Sequence, residues 1–196
     1  MKCSDFRQER RLPPYALSID PMPPHPLNIE YHSLGKLQIQ TIPEGRSEQI
    51  TQQLCRMDPW RALNYSPTRL SNYLMGTDPC LRCRIIVATD PDNMDKQRVA
   101  GLLCVRYPWL FGACLELLAI FPDYQKMGLG TEVLSWLERR VAADARNLWI
   151  LVSAFNESAR SFYRRQGYTE IAKIDDLIQT GCDEILLRKE LAHLKK

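Results

Sequence analysis

Residues 115–137 constrain the fold more than any other part of this sequence. They begin with an apolar run that carries a single carboxylate, Glu116, and continue through a short polar connection that contains Pro122 and Asp123. Two glycines follow, and after them apolar residues recur every three or four positions. These features predict a buried strand, a tight turn and an amphipathic helix, in that order.

A strand, a glycine-bearing turn and a helix can form an anion site. The first N–H groups of a helix have no partner within the helix, and the helix dipole places partial positive charge there. Gly128 and Gly130 would let the backbone approach a phosphate closely. Val133 stands where a dinucleotide fingerprint needs a small residue, and Thr131-Glu132 stand where a P-loop needs Lys and Ser or Thr. The turn alone leaves open whether a phosphate binds or the helix simply begins there.

Composition excludes several classes of protein. The chain has 196 residues, which suits a single domain with some additional sequence. A formal net charge of +3 is too small to indicate a nucleic-acid-binding protein. No apolar run approaches the roughly 20 residues of a membrane span, and the N-terminus lacks the apolar region of a secretory signal. We therefore expect a cytoplasmic protein that binds neither nucleic acid nor membrane.

The seven cysteines are an odd number, and most lie in apolar runs. This distribution is typical of buried free thiols. Cys80 and Cys83 form a CxxC pair, but the sequence contains no second such pair and no histidine pair at helical spacing. Because a structural zinc site needs four ligands, we expect no metal site.

The chain divides into an arm and a domain. Residues 1–36 are rich in proline and show no period, which predicts an extended arm packed on the domain or on a partner subunit, with a homodimer as one option. Residues 37–196 form a single domain in which helices and strands alternate irregularly. The predicted strands are 37–42, 84–89, 99–107, 115–120, 148–154, 168–174 and 184–188, and a loop at 175–183 joins the last two.

The order of these elements predicts the fold class. Two helices follow the first strand, and one helix follows each of the strands 115–120 and 148–154. The antiparallel first half and the strand–helix–strand crossover indicate an α/β fold. Its central sheet is mixed and mostly antiparallel, with helices on both faces.

Two motifs give the chain a resemblance to the GNAT superfamily of acyl-CoA-dependent N-acyltransferases. Residues 125–130, QKMGLG, follow a predicted strand and match the family pattern Q/R-x-x-G-x-G/A. Residues 154–168, AFNESARSFYRRQGY, match its downstream pattern N-x-x-A-x-x-x-Y-x-x-x-G-F/Y. The order, the spacing and the intervening helix agree, and the resemblance covers roughly residues 37–191.

The resemblance implies that two parallel central strands splay apart and that acetyl-CoA binds between them. It places the pantetheine arm on the backbone of one strand and the pyrophosphate on the N–H groups of the turn. The residues that it implies for binding are Leu118, Ile120, Gln125, Lys126, Met127, Gly128, Gly130, Thr131 and Asn156.

The resemblance also implies a reaction, in which a primary amine attacks acetyl-CoA directly in a ternary complex. Glu116 becomes the candidate general base, acting through water, and the equal alternative is a carboxylate held by hydrogen bonds. Leu151 occupies another position where the family often has a base. Tyr163 becomes the acid that protonates the CoA thiolate, with a packed core aromatic as its alternative, and the N–H of Ile120 would meet the oxyanion.

The acceptor is expected to be a small-molecule or peptide amine. By the same resemblance, residues 57–76 and 175–183 form its pocket. Four carboxylates of these segments would suit a cationic amine: Asp58, Asp175, Asp176 and Asp183. A non-catalytic acyl-CoA-binding regulatory module is the alternative function.

Overall fold

The computed structural model describes residues 24–90 and 92–192. These residues contain eight strands and four α-helices. The strands are β1 (Tyr31–Leu34), β2 (Leu37–Thr41), β3 (Leu81–Asp90), β4 (Asn93–Trp109), β5 (Gly112–Ile120), β6 (Asn147–Ser153), β7 (Thr169–Gln179) and β8 (Cys182–Glu190). The helices are α1 (Ser47–Leu54), α2 (Pro67–Leu74), α3 (Leu129–Ala142) and α4 (Glu157–Arg165).

All eight strands belong to one sheet, in the order β1-β2-β3-β4-β5-β6-β8-β7. Only β5 and β6 pair in parallel, and every other neighbouring pair is antiparallel. The expected α/β fold with a mixed, mostly antiparallel sheet is therefore confirmed. None of the helices in the described ranges is long and apolar enough to cross a membrane.

The parallel strands β5 and β6 separate along their length. They pair only from Gly112 with Asn147 to Leu115 with Ile150, although both strands continue beyond this ladder. At its start the two backbones are very close, since a Cβ on Gly112 would lie 2.0 Å from the carbonyl oxygen of Asn147. The pair is thus closed at one end and open at the other.

A β-bulge interrupts the opposite edge of β5. Cys104 of β4 pairs with Leu117, and the next residue, Val105, pairs with Leu115. Glu116 is therefore the extra residue of the bulge. Bulges re-aim side chains and are frequent beside active sites. The hydrophobic pattern of β5 gave no sign of this irregularity.

The helix α2 starts where its sequence predicts. Ser66 adopts an extended conformation and its hydroxyl accepts a hydrogen bond from the N–H of Arg69, at 3.1 Å. Pro67 occupies the first helical turn, where a missing N–H costs nothing. Leu70 and Leu74 are buried, so one face of α2 packs on the core and places the helix over the sheet.

The predicted loop at 175–183 is wrong, because β7 and β8 continue through it as a hairpin. Only two residues separate the end of β7 from the start of β8. The ammonium of Lys173 lies 2.7 Å from carboxylate oxygens of both Asp175 and Asp183. At the tip, the carboxylate of Asp176 accepts a hydrogen bond from the N–H of Gly181, at 2.6 Å. These cross-strand contacts hold a polar segment in strand conformation.

The sheet begins inside the segment that we assigned to the arm. Tyr31–Leu34 forms β1 and pairs with β2. Just before it, Arg84 donates hydrogen bonds to the carbonyl oxygens of Leu27 and Ile29, both at 2.8 Å. The proline-rich residues 1–23 lie outside the described residues, and their role as an arm stays a prediction.

Candidate active site

The separated ends of β5 and β6 open into a cavity of about 340 Å³. Residues of β5, β6, α2, α4, β7 and β8, together with the segment before α2, line it. Its most distinctive side chains are four aromatics and two carboxylates: Trp60, Tyr65, Tyr73, Tyr163, Glu116 and Glu184. Volumes of this size are typical of small-molecule sites.

Glu116 lies at the edge of this cavity with both carboxylate oxygens engaged. One oxygen accepts a hydrogen bond from the guanidinium of Arg106, and the other accepts one from the hydroxyl of Tyr73, at 2.7 Å. Arg106 also contacts Asp78, at 2.6 Å. The hydrogen bond with Glu116 is the main reason why the pKa of Arg106 is raised above its usual value. The bulge and these contacts together fix the carboxylate in place.

Tyr163 of α4 is 6% exposed and lines the same cavity. Its ring packs against the rings of Phe162 and Tyr168, with centroids 5.1 and 5.8 Å away. Burial raises the pKa of its phenol above the usual value, so the phenol stays protonated at neutral pH. Within the described part of the chain no residue hydrogen-bonds its hydroxyl. A protonated, unpaired phenol in a cavity can act as an acid.

The open edge of β5 carries backbone groups that no strand pairs. The N–H of Phe121 donates to the carbonyl oxygen of Ala100 on β4, at 2.8 Å. Because backbone groups alternate along a strand, the N–H groups of Leu118 and Ile120 point to the other edge, where β6 has separated. The side chain of Gln125 donates to the carbonyl oxygen of Ile120, at 2.9 Å.

The turn before α3 contains two residues in the left-handed conformation. Lys126 and Gly128 are both left-handed, with φ of 63° and 81°. Gly128 is the N-cap residue of α3, and Met127 lies between the two with its side chain 56% exposed. Turns that mix right- and left-handed residues at a helix start gather N–H groups into an anion-binding concavity.

The first turn of α3 lies beside α4. A Cβ built on Gly130 would lie 3.5 Å from the ring of Phe162 and 3.8 Å from Ile120. The side-chain amide of Gln166 donates to the hydroxyl of Thr131, at 3.4 Å. The structure thus brings the predicted phosphate-binding residues next to the open edge of β5.

Asn156 caps a helix and also lines the cavity. Its side-chain oxygen accepts a hydrogen bond from the N–H of Ala159, at 3.2 Å, so it caps α4 as the sequence predicts. It also lines the cavity beside Ser153. The wall formed by β6 and α4 therefore meets the wall formed by β5, as the resemblance implied.

Sequence reasoning missed Glu184. This residue of β8 pairs with Ser153 of β6, is only 5% exposed, and lines the cavity. The hydroxyl of Ser153 donates a hydrogen bond to it, at 2.6 Å. Burial raises the pKa of the Glu184 carboxyl, and this hydrogen bond partly opposes the rise. The available signal was weaker than that for Glu116, because Glu184 follows Asp183 and stands before an apolar run, whereas Glu116 lies inside one.

The four carboxylates expected to attract a cationic amine, Asp58, Asp175, Asp176 and Asp183, do not line the cavity. Asp58 pairs with Arg61 at 2.8 Å, and Lys173 holds Asp175 and Asp183. These contacts lie on the surface and neutralise the charges locally. Among the described residues, no group of three or more His, Cys, Asp or Glu side chains is arranged to hold a metal ion.

Comparison with known proteins agrees with this geometry. The acetyltransferase (GNAT) family matches residues 49–168. No curated protein sequence matches the chain significantly. Among solved structures, an acetyltransferase from Thermus thermophilus superposes with a TM-score of 0.59 at 20% identity, covering 81% of this chain and 99% of the other.

Two further structures share the fold. The ribosomal-protein-S18-alanine N-acetyltransferase of Escherichia coli superposes with a TM-score of 0.56 at 19% identity, covering 82% of this chain and 97% of the other. RimL, a ribosomal L7/L12 alpha-N-protein acetyltransferase in complex with coenzyme A, gives 0.62 at 15% identity, covering 83% and 98%. The family match extends over more than half of the sequence, and the sheet has the expected topology. The chain belongs to the GNAT family of acetyltransferases.

Proposed function

We propose that this protein transfers the acetyl group of acetyl-CoA to a primary amine, by direct attack of the amine in a ternary complex. The observation that carries the proposal is the separation of β5 from β6 beside the turn that begins α3. It leaves an open strand edge, an anion-binding turn and a cavity that contains Tyr163. A long, anionic thioester needs all three.

The proposed binding mode of acetyl-CoA follows the open edge. The pantetheine arm would pair like a strand with the backbone of Leu118 and Ile120. The pyrophosphate would bind N–H groups at the start of α3, supplied by Met127, Gly128, Gly130 and Thr131. Gln125 and Lys126 would flank the phosphates, and Asn156 would lie near the thioester. The complex of RimL with coenzyme A supports the choice of donor.

The chemistry requires a neutral amine, because an unperturbed alkylammonium has a pKa of about 10.4. Once deprotonated, the nitrogen would attack the thioester carbon, and the N–H of Ile120 would stabilise the oxyanion. Tyr163 would give its proton to the leaving CoA thiolate. No covalent enzyme intermediate is needed, so we propose no nucleophilic cysteine.

Two functions of Glu116 are compatible with its surroundings. Its contacts with Arg106 and Tyr73 support a carboxylate that holds the bulge and the cavity wall in shape. Each oxygen keeps a further lone pair, so a water-mediated base also fits.

The acceptor amine is proposed by analogy as well: RimL and the Escherichia coli enzyme act on amino groups of ribosomal proteins.

The proposal is tested by calorimetry with acetyl-CoA, followed by measurement of free thiol release with a panel of amines. We expect binding and amine-dependent thiol release. Binding without release with any amine would favour a non-catalytic acyl-CoA-binding module. Absence of binding would contradict both functions.

A matched pair of variants locates the phosphate site. Gly128→Asp places a carboxylate at the start of α3 and should weaken acetyl-CoA binding by about tenfold or more, because the added negative charge repels the phosphates. Gly45→Asp makes the same change at another left-handed glycine, and at both positions an added Cβ meets nothing within 4 Å. Gly45→Asp should bind like wild type. Equal affinities of the two variants would place the phosphates elsewhere.

A further inference from the structure

We infer that the acceptor is a single primary amine carried on an apolar, preferably aromatic, group, and that Glu184 receives this amine. The inference rests on the proposed acetyl transfer and names its acceptor.

Part of the cavity wall is apolar. The segment before α2, α2 itself and β7 supply it, chiefly through Trp60, Leu63, Tyr65, Leu70, Leu177 and Ile178. Leu177 and Ile178 are large apolar side chains that remain 45% and 39% exposed. A ring bound in the cavity would cover them, and burial of apolar surface would supply much of the binding free energy.

The charges in the cavity favour one amine rather than several. In the described part of the chain its charged lining consists of Arg69, Glu116 and Glu184. Glu116 is already neutralised by Arg106. Arg69 is exposed, lies 5.4 Å from the ring centroid of Tyr65, and would repel a second ammonium. One carboxylate therefore remains for a cationic group, and a polyamine would lack a partner for its other charges.

Glu184 lacks a cation of its own. It is 5% exposed, and its one hydrogen-bond partner among the described residues is the hydroxyl of Ser153. The nearby cation on β7, Lys173, contacts Asp175 and Asp183 instead. A buried carboxylate without a counter-ion is costly, and an ammonium from the substrate would offset this cost.

The titratable groups that face the same cavity lie on several elements. They are Tyr65 before α2, Arg69 and Tyr73 on α2, Glu116 on β5 and Tyr163 on α4. Burial is the main cause of the raised pKa of Tyr65; the charge of Arg69 lowers this pKa and that of Glu184 raises it. None of these groups is a free cation within the cavity except Arg69 at its exposed side.

The proposed proton transfers conserve atoms and charge. The ammonium gives one proton to Glu184, and its nitrogen then forms a bond to the thioester carbon. The C–S bond breaks, and the thiolate takes the proton of Tyr163. The second proton of the nitrogen restores the phenol, and Glu184 releases its proton to solvent. The products are the amide, the CoA thiol and one proton.

A substrate panel tests the chemical class. We expect kcat/KM for 2-phenylethylamine, or for a hexapeptide with an N-terminal phenylalanine, to exceed that for ethanolamine and spermidine by about tenfold or more. The two phenyl-bearing substrates distinguish a small amine from a peptide N-terminus. A preference for spermidine or ethanolamine would overturn the inference and leave the proposed acetyl transfer standing. No turnover with any amine would contradict the acetyl transfer itself.

Glu184→Gln tests the assigned residue. We expect kcat/KM for the better phenyl-bearing substrate to fall about 10- to 100-fold and the acetyl-CoA affinity to stay unchanged. The acid limb that Glu184 causes should be lost, so that kcat/KM rises only with the fraction of neutral amine. Glu190→Gln is the control, since it lies on the same strand and is exposed beside Arg146. A wild-type pH profile in Glu184→Gln would overturn the assignment. So would loss of the acid limb in Glu116→Gln alone.

A variant at an exposed position tests the effect of the cavity charge on the choice of amine. Ile178→Asp adds a further carboxylate, one without a cationic partner, to the cavity on a solvent-facing strand. We expect the ratio of kcat/KM for spermidine to that for 2-phenylethylamine to rise about tenfold or more. Ile171→Asp changes an exposed isoleucine of the same strand outside the cavity, and it should keep the wild-type ratio. An unchanged ratio in Ile178→Asp would overturn the inference.

Discussion

Tyr163 combines two properties that are usually separate. Its ring belongs to an aromatic cluster with Phe162 and Tyr168, which is how a core residue packs. It also lines the cavity, and none of the described residues accepts its hydroxyl proton. The cluster fixes the position of the ring, and the cavity gives the hydroxyl a place to react. Packing and catalysis are therefore compatible functions of the same residue.

Replacing Tyr163 by phenylalanine separates the two properties. The variant keeps the ring and removes the proton donor, so we expect kcat to fall about 100-fold or more with little change in acetyl-CoA affinity. Steady-state kinetics and calorimetry measure the two quantities. Tyr168→Phe is the control, because its hydroxyl donates to Glu138, at 3.0 Å, outside the cavity. Wild-type kcat in Tyr163→Phe would remove the acid function from this residue.

The sequence identified single residues better than it identified their partners. Glu116 stands out as a carboxylate in an apolar strand, and Tyr163 stands out through its motif. The contacts of Glu116 with Tyr73 and Arg106 join residues far apart in the chain, and a β-bulge decides which way the carboxylate points. Local patterns carry no information about such pairings. The same limit explains why the carboxylate of Glu184 was noticed only in the folded chain.

Among the elements, local periodicity predicted the cores of β2 to β8, but it missed β1 and did not predict every strand length. The structure extends β3 to Leu81–Asp90 and β4 to Asn93–Trp109, beyond the apolar segments that predicted them. A strand continues as long as its neighbour offers backbone partners, whatever its polarity. The hairpin of β7 and β8 extends differently, since its strands pair at Ile174 with Glu184 and again only at Gln179 with Cys182. The ion pair between Lys173 and Asp183 joins the two strands beside this polar stretch.

Gly112 lies at the end of the parallel pair opposite the open cleft. At this end β5 and β6 are in close contact. A Cβ there would lie 2.0 Å from the carbonyl oxygen of Asn147, which is backbone and cannot turn away. We expect Gly112→Ala to lower the free energy of unfolding by about 1–3 kcal/mol, as over-packing does. Urea denaturation measures this difference.

Gly130→Ala provides the contrast on the same measurement. Its added Cβ would meet the ring of Phe162 at 3.5 Å, an ordinary contact, and alanine suits a helix better than glycine. We expect the stability of Gly130→Ala to equal or exceed that of wild type. If Gly112→Ala were equally stable, the close approach of β5 and β6 would not hold the cleft in shape.

At the scale of the whole molecule, the segment before β1 is held by hydrogen bonds from elements that are distant in the sequence. Arg84 of β3 binds the carbonyl oxygens of Leu27 and Ile29, and Arg140 of α3 binds that of Pro26, at 3.1 Å. Leu27 is fully buried in the core. The proline-rich composition predicted an extended segment, but the guanidinium partners come from strand and helix positions that no local pattern connects to it.

The contacts of His25 make the stability of this segment dependent on pH. Its Nδ1 accepts a hydrogen bond from the N–H of Leu27, at 3.0 Å, so Nε2 carries the proton and donates to the carbonyl oxygen of Val105, also at 3.0 Å. A second proton on the ring would break the contact with Leu27. Burial is the main cause that lowers the pKa of His25 from 6.5 to about 4.

The sign of the effect follows from this lowered pKa. Between pH 6.5 and about 4 the unfolded chain binds a proton at His25 that the folded chain does not. The stabilisation is therefore complete above pH 6.5 and is lost as the pH falls towards 4, by up to about 3 kcal/mol. His25→Gln removes the titrating ring and leaves every carboxylate of the chain in place.

Comparing the two proteins at two pH values isolates the contribution of the ring. From pH 7 to pH 4.5, urea denaturation should show the wild type losing about 2 kcal/mol more unfolding free energy than His25→Gln. Carboxylates that titrate in this range contribute equally to both proteins and cancel in the difference. Equal losses would mean that the ring is solvated in solution. The segment before β1 would then be held by Arg84, Arg140 and the buried side chain of Leu27.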